Sequence, residues 1–356
     1  MVKSAPSRAI FEANLSSLHP MLLTIAIPTY NRNEILARNL RPLLDQLACP
    51  ELGTKCCLRI FDNASPIPVS ETLAPLLREF PEVQCETVRN VANIGANANI
   101  LRCFETCETP YLWVLGDDDT PLLDALSTIF GLIERFPDCV FFSYSDEKWE
   151  RERAVETRGA EQFVLAMDSL WLLLCVSSSL YRADVLRNSL RVGYRFEYSH
   201  APHLVTLLAY LNEVPAQCRL GTEQIVHWHA PAEGQQWPLV PFALGIATML
   251  EMPMTDRARR HLAGVIAAAL NLEILVLQLL LLAVRDGRRE QNGPLFLFDQ
   301  LCARLFYFDK NPGQRLKRLL FRRMLCAPRL SYALLSRLKG RGSSTNHHLQ
   351  DLFERV

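Results

Sequence analysis

The sequence lacks the signatures that announce several common chemistries. None of its 11 cysteines stands in a C-x-x-C pair, so neither a zinc ribbon nor a thioredoxin-type site is signalled, and reduced, mostly buried thiols are expected. No G-x-G-x-x-G and no P-loop follows the first apolar run, which argues against a dinucleotide-dependent oxidoreductase and a P-loop enzyme. Net charge is also missing: 38 Lys+Arg balance 38 Asp+Glu, so composition does not point to nucleic acid. There is no repeat of fixed period and no low-complexity tract. The opening MVKSAPSRAIFEANLSS has no apolar core of signal-peptide length, so the expected location is cytoplasmic.

What is present is an ordinary globular composition, 49% apolar and 21% charged over 356 residues, enough for about two domains. The charge balance hides an asymmetry. Residues 256–356 hold 18 basic and 8 acidic side chains, against 20 and 30 in residues 1–255, so the C-terminal end is suited to an anionic partner.

Apolar, partly β-branched runs end at Pro28, at Phe61, near Val88, at Leu115 and at Tyr144, with helical spacing between them. That alternation predicts an α/β fold, a mostly parallel central sheet flanked by helices, followed by a helical C-terminal region. Asn31 with Glu34 resembles an N-capping pair, and Pro42 argues for a break or kink in the helix that follows. Thr120-Pro121 reads as the start of a helix running to Phe136. The expected division is a leader over 1–20, a catalytic domain over 21–240 with halves 21–145 and 146–240, a basic helical region over 241–342, and a tail over 343–356.

Ligands of a parallel sheet bind beyond the carboxyl ends of its strands. Three polar clusters fall there: Pro28-Thr29-Tyr30-Asn31, Asp62-Asn63 and Asp117-Asp118-Asp119. Adjacent carboxylates repel and raise one another's pKa, and a hard divalent cation, Mg²⁺ or Mn²⁺, removes that cost. The alternative for the triplet is a solvated acidic turn at a helix start. Asp62 also reads as an Asx-turn residue.

IAIPTYNR, FDNAS, NVANIGANAN and YLWVLGDDDT, in that order, closely resemble the family 2 nucleotide-sugar glycosyltransferases with the GT-A fold. The resemblance covers about residues 21–145 and thins to VSSSLYRADVL beyond. It implies that Pro28, Thr29 and Tyr30 line a nucleoside pocket, and that Asp62 hydrogen-bonds a pyrimidine ring. Asn93 and Gly95 would lie near the nucleoside and ribose. Asp117 and Asp119 match the D-x-D motif, with Asp118 between them on the donor side and Asp119 nearest the metal.

The pattern departs where such enzymes carry their catalytic base. The matching stretch reads Arg195-Phe196-Glu197-Tyr198-Ser199-His200 and has no Glu-Asp pair. Glu197 and His200 are the candidate bases, and packing roles for both are the alternative. His227 and His229 flank Trp228 at strand spacing, which would turn both to one side; the resemblance implies that a late histidine completes the metal shell, so both are candidate metal or diphosphate contacts, with a structural role the alternative. Residues 315–341 interleave nine basic side chains with leucines and no acid, suited to an interfacial helix on anionic lipid or to the solvated face of a helical domain. Leu262–Val284 is long enough to span a bilayer, and its Ala267-Ala268-Ala269 run also fits a buried or homodimer-forming helix.

The expected activity is therefore a metal-dependent, inverting transfer of sugar from a nucleoside diphosphate to a glycan or lipid-linked acceptor, in bacterial surface polysaccharide synthesis. The expected location is peripheral, at the inner membrane face. The rival reading is a degenerate member that binds nucleotide sugar or a partner without turnover.

Overall fold

The structure is a computed structural model and describes residues 21–229, 239–270, 272–285, 293–307 and 311–339. The expected leader and tail, 1–20 and 343–356, lie outside the described residues. The chain divides into two compact units: Met1–Glu156 with Cys175–Leu190 and Ala216–Ala230, and Thr157–Leu174 with Arg191–Pro215 and Pro231–Val356.

The first unit is built on β1 (Leu23–Thr29), whose apolar residues are buried on both faces, as a parallel strand under helices requires. Helix α1 (Asn33–Leu47) follows, then β2 (Cys56–Asp62), α2 (Val69–Leu77), β3 (Cys85–Arg89), α3 (Ala96–Glu105) and β4 (Tyr111–Val114). After these come the short β5 (Thr120–Pro121), α4 (Ala125–Arg135), β6 (Cys139–Ser143), β7 (Val155–Arg158), β8 (Ser179–Arg182), β9 (Gln217–Leu220) and β10 (Val226–His227). The main sheet has the order β3-β2-β1-β4-β8-β6-β9-β7, and β10 pairs with β5 separately. Strands β1 to β4 are mutually parallel, β8 runs antiparallel to β4 and β6, and β6 is parallel to β9. The sheet is thus mixed, with a parallel half that carries the three polar clusters. Leu36, Leu40, Leu43, Leu44 and Leu47 of α1 are buried against the sheet's core with Ile25, Ile60, Trp113 and Leu126. Packing of that stripe is what most stabilises such a helix.

Three local expectations are corrected. The cap of α1 is Arg32, with no side-chain cap, and Asn31 stands in the left-handed region at φ 54. Its N–H donates instead to Ser65 Oγ at 2.9 Å. Pro42 does not end the helix, which runs unbroken to Leu47 because its buried leucines lie on both sides of the proline. Thr120-Pro121 opens no helix: Thr120 pairs with His227 and Pro121 with Val226 in an antiparallel bridge, and α4 begins at Ala125. All 11 cysteines are free, five of them buried.

The second unit is helical. It holds α5 (Pro202–Glu213), α6 (Leu239–Ala247), α7 (Asp256–Ala269), α8 (Leu272–Arg285), α9 (Gly293–Leu305), α10 (Pro312–Cys326) and α11 (Pro328–Lys339), with shorter helices at Gly159–Leu165 and Leu170–Leu174. The expected continuous helix over Leu262–Val284 is two helices bent by 68°. No single helix among the described residues is long and apolar enough to cross a membrane, although the bent pair passes that test together by length and composition. The basic stretch also divides, at Ala327-Pro328, because proline cannot supply the amide that continues α10. On α10, Leu316, Leu319 and Leu320 are exposed.

Candidate active site

The site belongs to the first unit and lies where β1, β2 and β4 end. Register places Thr29 beside Asp62. Asp117 follows β4, and Thr29 Oγ1 donates to its Oδ2 at 2.6 Å. Arg32 Nη1 donates to Asp117 Oδ1 at 2.9 Å and to Asp118 Oδ2 at 2.8 Å. One guanidinium thus neutralises two of three consecutive carboxylates. Burial raises the Asp117 pKa, opposed by the Thr29 bond and the Arg32 charge.

Asp119 is buried, and Ser177 Oγ donates to its Oδ2. Ser177 Oγ in turn accepts from Gly116 N–H at 2.8 Å. A side chain at Gly116 would meet Asp119 Oδ2 at 2.9 Å and Ser177 Oγ at 3.2 Å, so a Cβ there would displace the carboxylate from its present position. Burial pushes the Asp119 carboxyl up to about 7; the Ser177 bond and the His229 backbone N–H pull it down, and the charges of Asp118 and Asp117 raise it again. Its Oδ1 is buried and accepts no hydrogen bond of ordinary geometry. A buried carboxylate oxygen without a donor is costly unless a proton or cation serves it.

That orphaned oxygen fits a divalent cation. Among the described residues, however, no group of three or more His, Cys, Asp or Glu side chains is arranged to hold a metal. His229 Nε2 lies 3.0 Å from Thr120 Oγ1, and His227 Nδ1 lies 3.1 Å from Glu147 Oε1. The two histidines therefore have different neighbours. Only His227 belongs to β10, so the strand alternation that would align them ends there. A cation here would need oxygens from a phosphate, as Mg²⁺ sites commonly do.

The second cluster surrounds Asp62. Its carboxylate is fully buried; Oδ1 accepts Ser65 N–H at 2.8 Å and Oδ2 accepts Val69 N–H at 3.2 Å. Arg89 Nη1 pairs with Oδ2, and Arg89 Nη2 donates to Ser65 O at 2.7 Å. Burial alone would raise the Asp62 pKa, but the bonds from Ser65, Val69 and Arg89 hold it below the usual carboxylate range. Asn63 Nδ2 donates to Asn93 Oδ1 at 2.8 Å and to Gly95 O at 3.2 Å, while its Oδ1 accepts Ile94 N–H at 3.0 Å. Asn63 thereby pins the 93–95 loop beside the Asp62 turn. Gly95 has φ 88, and both it and Asn93 are exposed, as is Tyr30 at the end of β1.

Pro28, Thr29, Asp62, Asn93, Gly95 and the Asp triplet are thus brought to one unit and one sheet edge. Glu197 and His200 belong to the second unit. Glu197, in a short 3-10 turn, is half-buried, and its carboxylate makes no hydrogen bond or ion pair among the described residues. His200 adopts φ 58, with its ring 5.6 Å from that of Phe242; burial lowers its pKa, opposed by the Pro241 backbone. Arg32, Arg89 and Ser177 are residues at this edge that the sequence patterns did not single out. Arg32 closes the same IAIPTYNR motif, and Ser177 opens the serine run before β8.

Residues 24–189, somewhat under half of the chain, match the family model described as Glycosyl transferase family 2. Over these residues the chain is similar to that family. The chain is 28% identical over 178 residues to "Abequosyltransferase RfbV" of Salmonella typhimurium, and that match spans about half of each protein, 50% of this chain and 51% of the relative. The crystal structure of S. aureus TarS 1-349 matches with a TM-score of 0.54, 14% identity, and coverage of 87% of this chain and 88% of that one. The same protein in complex with UDP-GlcNAc gives a TM-score of 0.56 at 14% identity, over 87% and 88%. At that identity the likeness shows the fold, a GT-A-like sheet with flanking helices.

Proposed function

We propose that the chain transfers a sugar from a nucleoside-diphosphate donor to a glycan or lipid-linked acceptor, with a divalent cation and with inversion at the anomeric carbon. The observation that carries this reading is Asp119: a buried carboxylate with one oxygen unserved, at the ends of the parallel strands of a domain similar to the family 2 glycosyl transferases. Work on a surface polysaccharide is part of this reading; the relative named an abequosyltransferase supports the transfer of a sugar.

In this reading the nucleoside lies along Pro28, Thr29 and Tyr30 and against the Asn93–Gly95 loop. Asp62 acts on the base through the turn it holds, because both its oxygens are engaged by Ser65, Val69 and Arg89. Asp119 would hold Mn²⁺ or Mg²⁺ beside the donor. When bound, the cation offsets the charge that develops on the diphosphate leaving group. Arg32 fixes Asp117 and Asp118, so that the triplet carries less repulsion before donor arrives. Glu197 is the better candidate base, since its carboxylate is uncommitted while the His200 ring is enclosed by Phe242 and the Pro241 backbone. It would take the proton of the acceptor hydroxyl as the sugar–phosphate bond breaks. The 21–240 catalytic segment and the helical region after it remain the proposed division of labour.

The basic C-terminal helices are proposed to rest on anionic lipid at the inner membrane face. Exposed Leu316, Leu319 and Leu320 stand among Arg315, Lys317, Arg318, Arg322 and Arg323 on α10. Salt-sensitive co-sedimentation with anionic vesicles, lost on truncation near residue 310, checks this.

The activity is tested by donor hydrolysis across a panel of nucleotide sugars with and without Mn²⁺. Metal-dependent release of nucleoside diphosphate, lost in Asp119→Ala, is the expected result. No metal-dependent turnover with any donor would favour the rival reading, a module that binds without catalysis.

A further inference from the structure

The turn that follows β6 carries a cluster that the donor chemistry does not use. Lys148 Nζ lies 4.7 Å from the ring centroids of both Trp149 and Trp228. The two indoles stand edge to face, 5.5 Å apart at 63°. Both are half-buried and Lys148 is exposed. This is a lysine held between two large aromatic surfaces at the rim of the first unit.

The cluster is rigidly mounted. Asp146 bridges to Trp149 across the turn, and Asp146 Oδ1 accepts Lys148 N–H at 2.6 Å. Buried Arg151 ties the turn's far end down, donating to Gly221 O at 3.1 Å and to Ser143 Oγ at 3.1 Å, while its N–H donates to Ser145 Oγ at 3.1 Å. Glu147 reaches His227 at 3.1 Å. On the other side, Trp228 directly follows His227, which is in register with Thr120, the residue after Asp119. His229, the next residue, lies 3.0 Å from Thr120 Oγ1. The indole pair is therefore fastened to the strand that leaves the carboxylate rim.

Pyranose rings present faces of C–H bonds whose partial positive charge suits an indole face, and Trp attracts cations most strongly for the same electrostatic reason. An ammonium beside such a face adds a site for phosphate oxygens. We propose that Trp149, Trp228 and Lys148 form the acceptor subsite, and that it takes a sugar bearing a phosphate or diphosphate, the indoles stacking the ring and Lys148 pairing with the anionic group. The assignment deepens the proposed sugar transfer and rests on that reading for the word acceptor, but the binding itself does not.

Ligand-observed saturation-transfer NMR, without donor or metal, tests the subsite on the full chain. The probes are glucose 1-phosphate, methyl glucoside and inorganic phosphate. The wild type is expected to transfer saturation to the ring protons of both sugars, more strongly for the phosphorylated one. Trp228→Leu should abolish both signals, and Lys148→Met should reduce glucose 1-phosphate to the level of methyl glucoside. If a leucine variant unfolds, Trp149→Phe and Trp228→Phe keep an aromatic face and should retain a weaker signal. No transfer to either sugar overturns the subsite. So does a signal unchanged in Trp228→Leu, one displaced fully by inorganic phosphate, or one removed by UDP, which would place the probe in the donor pocket. Absence of donor turnover with a Trp228-dependent sugar signal would defeat the transfer reading and leave the subsite standing.

Discussion

Arg32 and Asp117 are separated by 85 residues and meet at 2.9 Å, guanidinium to carboxylate. The contact joins the loop after the first strand to the loop after the fourth, and the same nitrogen reaches Asp118. It explains how three consecutive carboxylates are tolerated: Asp117 and Asp118 share an internal cation, and Asp119 keeps a buried oxygen, Oδ1, without a hydrogen-bond partner.

Arg32→Gln removes that cation while leaving the carboxylates partly buried. Loss of one partner of such a pair typically costs on the order of 1–3 kcal/mol. The expected outcome in thermal unfolding is a lower melting temperature without metal, and a larger stabilisation by Mn²⁺ than the wild type shows. Equal Mn²⁺ shifts in the two proteins would mean that Arg32 does not serve the triplet.

Ser177→Ala withdraws the hydroxyl that lowers the Asp119 pKa. The carboxyl, already pushed up to about 7 by burial, should rise further. A ligand that must be deprotonated to bind metal then requires a higher pH. The pH–rate profile of Mn²⁺-dependent donor hydrolysis should keep its shape while its acidic limb moves to higher pH. An unmoved limb would separate Ser177 from the metal carboxylate.

His203 offers a pH test of the second unit alone. It is buried, bonded through Nε2 to Leu173 O at 3.1 Å, and burial lowers its pKa to about 4. The folded state holds it neutral, whereas an unfolded histidine titrates near 6.5. Its contribution is fully present above about pH 6.5 and is lost as pH falls towards 4, by up to about 3 kcal/mol. Urea unfolding of wild type against His203→Gln should show a shallower loss between those pH values in the variant. Parallel curves would contradict the buried neutral imidazole.

The parallel half of the fold was legible because each strand reads as an apolar run stopped by a polar cluster, and the edge rule then gathered Thr29, Asp62 and the Asp triplet. The partners of those carboxylates were not legible. An arginine reaches far, so the sequence does not say that Arg32 turns to Asp117 while Arg89 turns to Asp62; strand order decides it. Ser177 lies in a different motif from Asp119 and meets it only because β8 runs antiparallel beside β4. The same limit misled the reading of Thr120-Pro121, where pairing with β10 overrides a good helix-start signal. The bend between α7 and α8 leaves no trace in the sequence, because a run of leucines and alanines carries hydropathy but no mark of its direction.

The central claim is that a cation binds at Asp119 together with a diphosphate. Isothermal titration of UDP into the wild type and Asp119→Asn, each with and without Mn²⁺, tests it directly. The account expects Mn²⁺ to tighten UDP binding to the wild type by at least about tenfold, and to do nothing for the variant, which keeps the metal-free affinity. Equal tightening of both proteins by Mn²⁺, or none in the wild type, would contradict it.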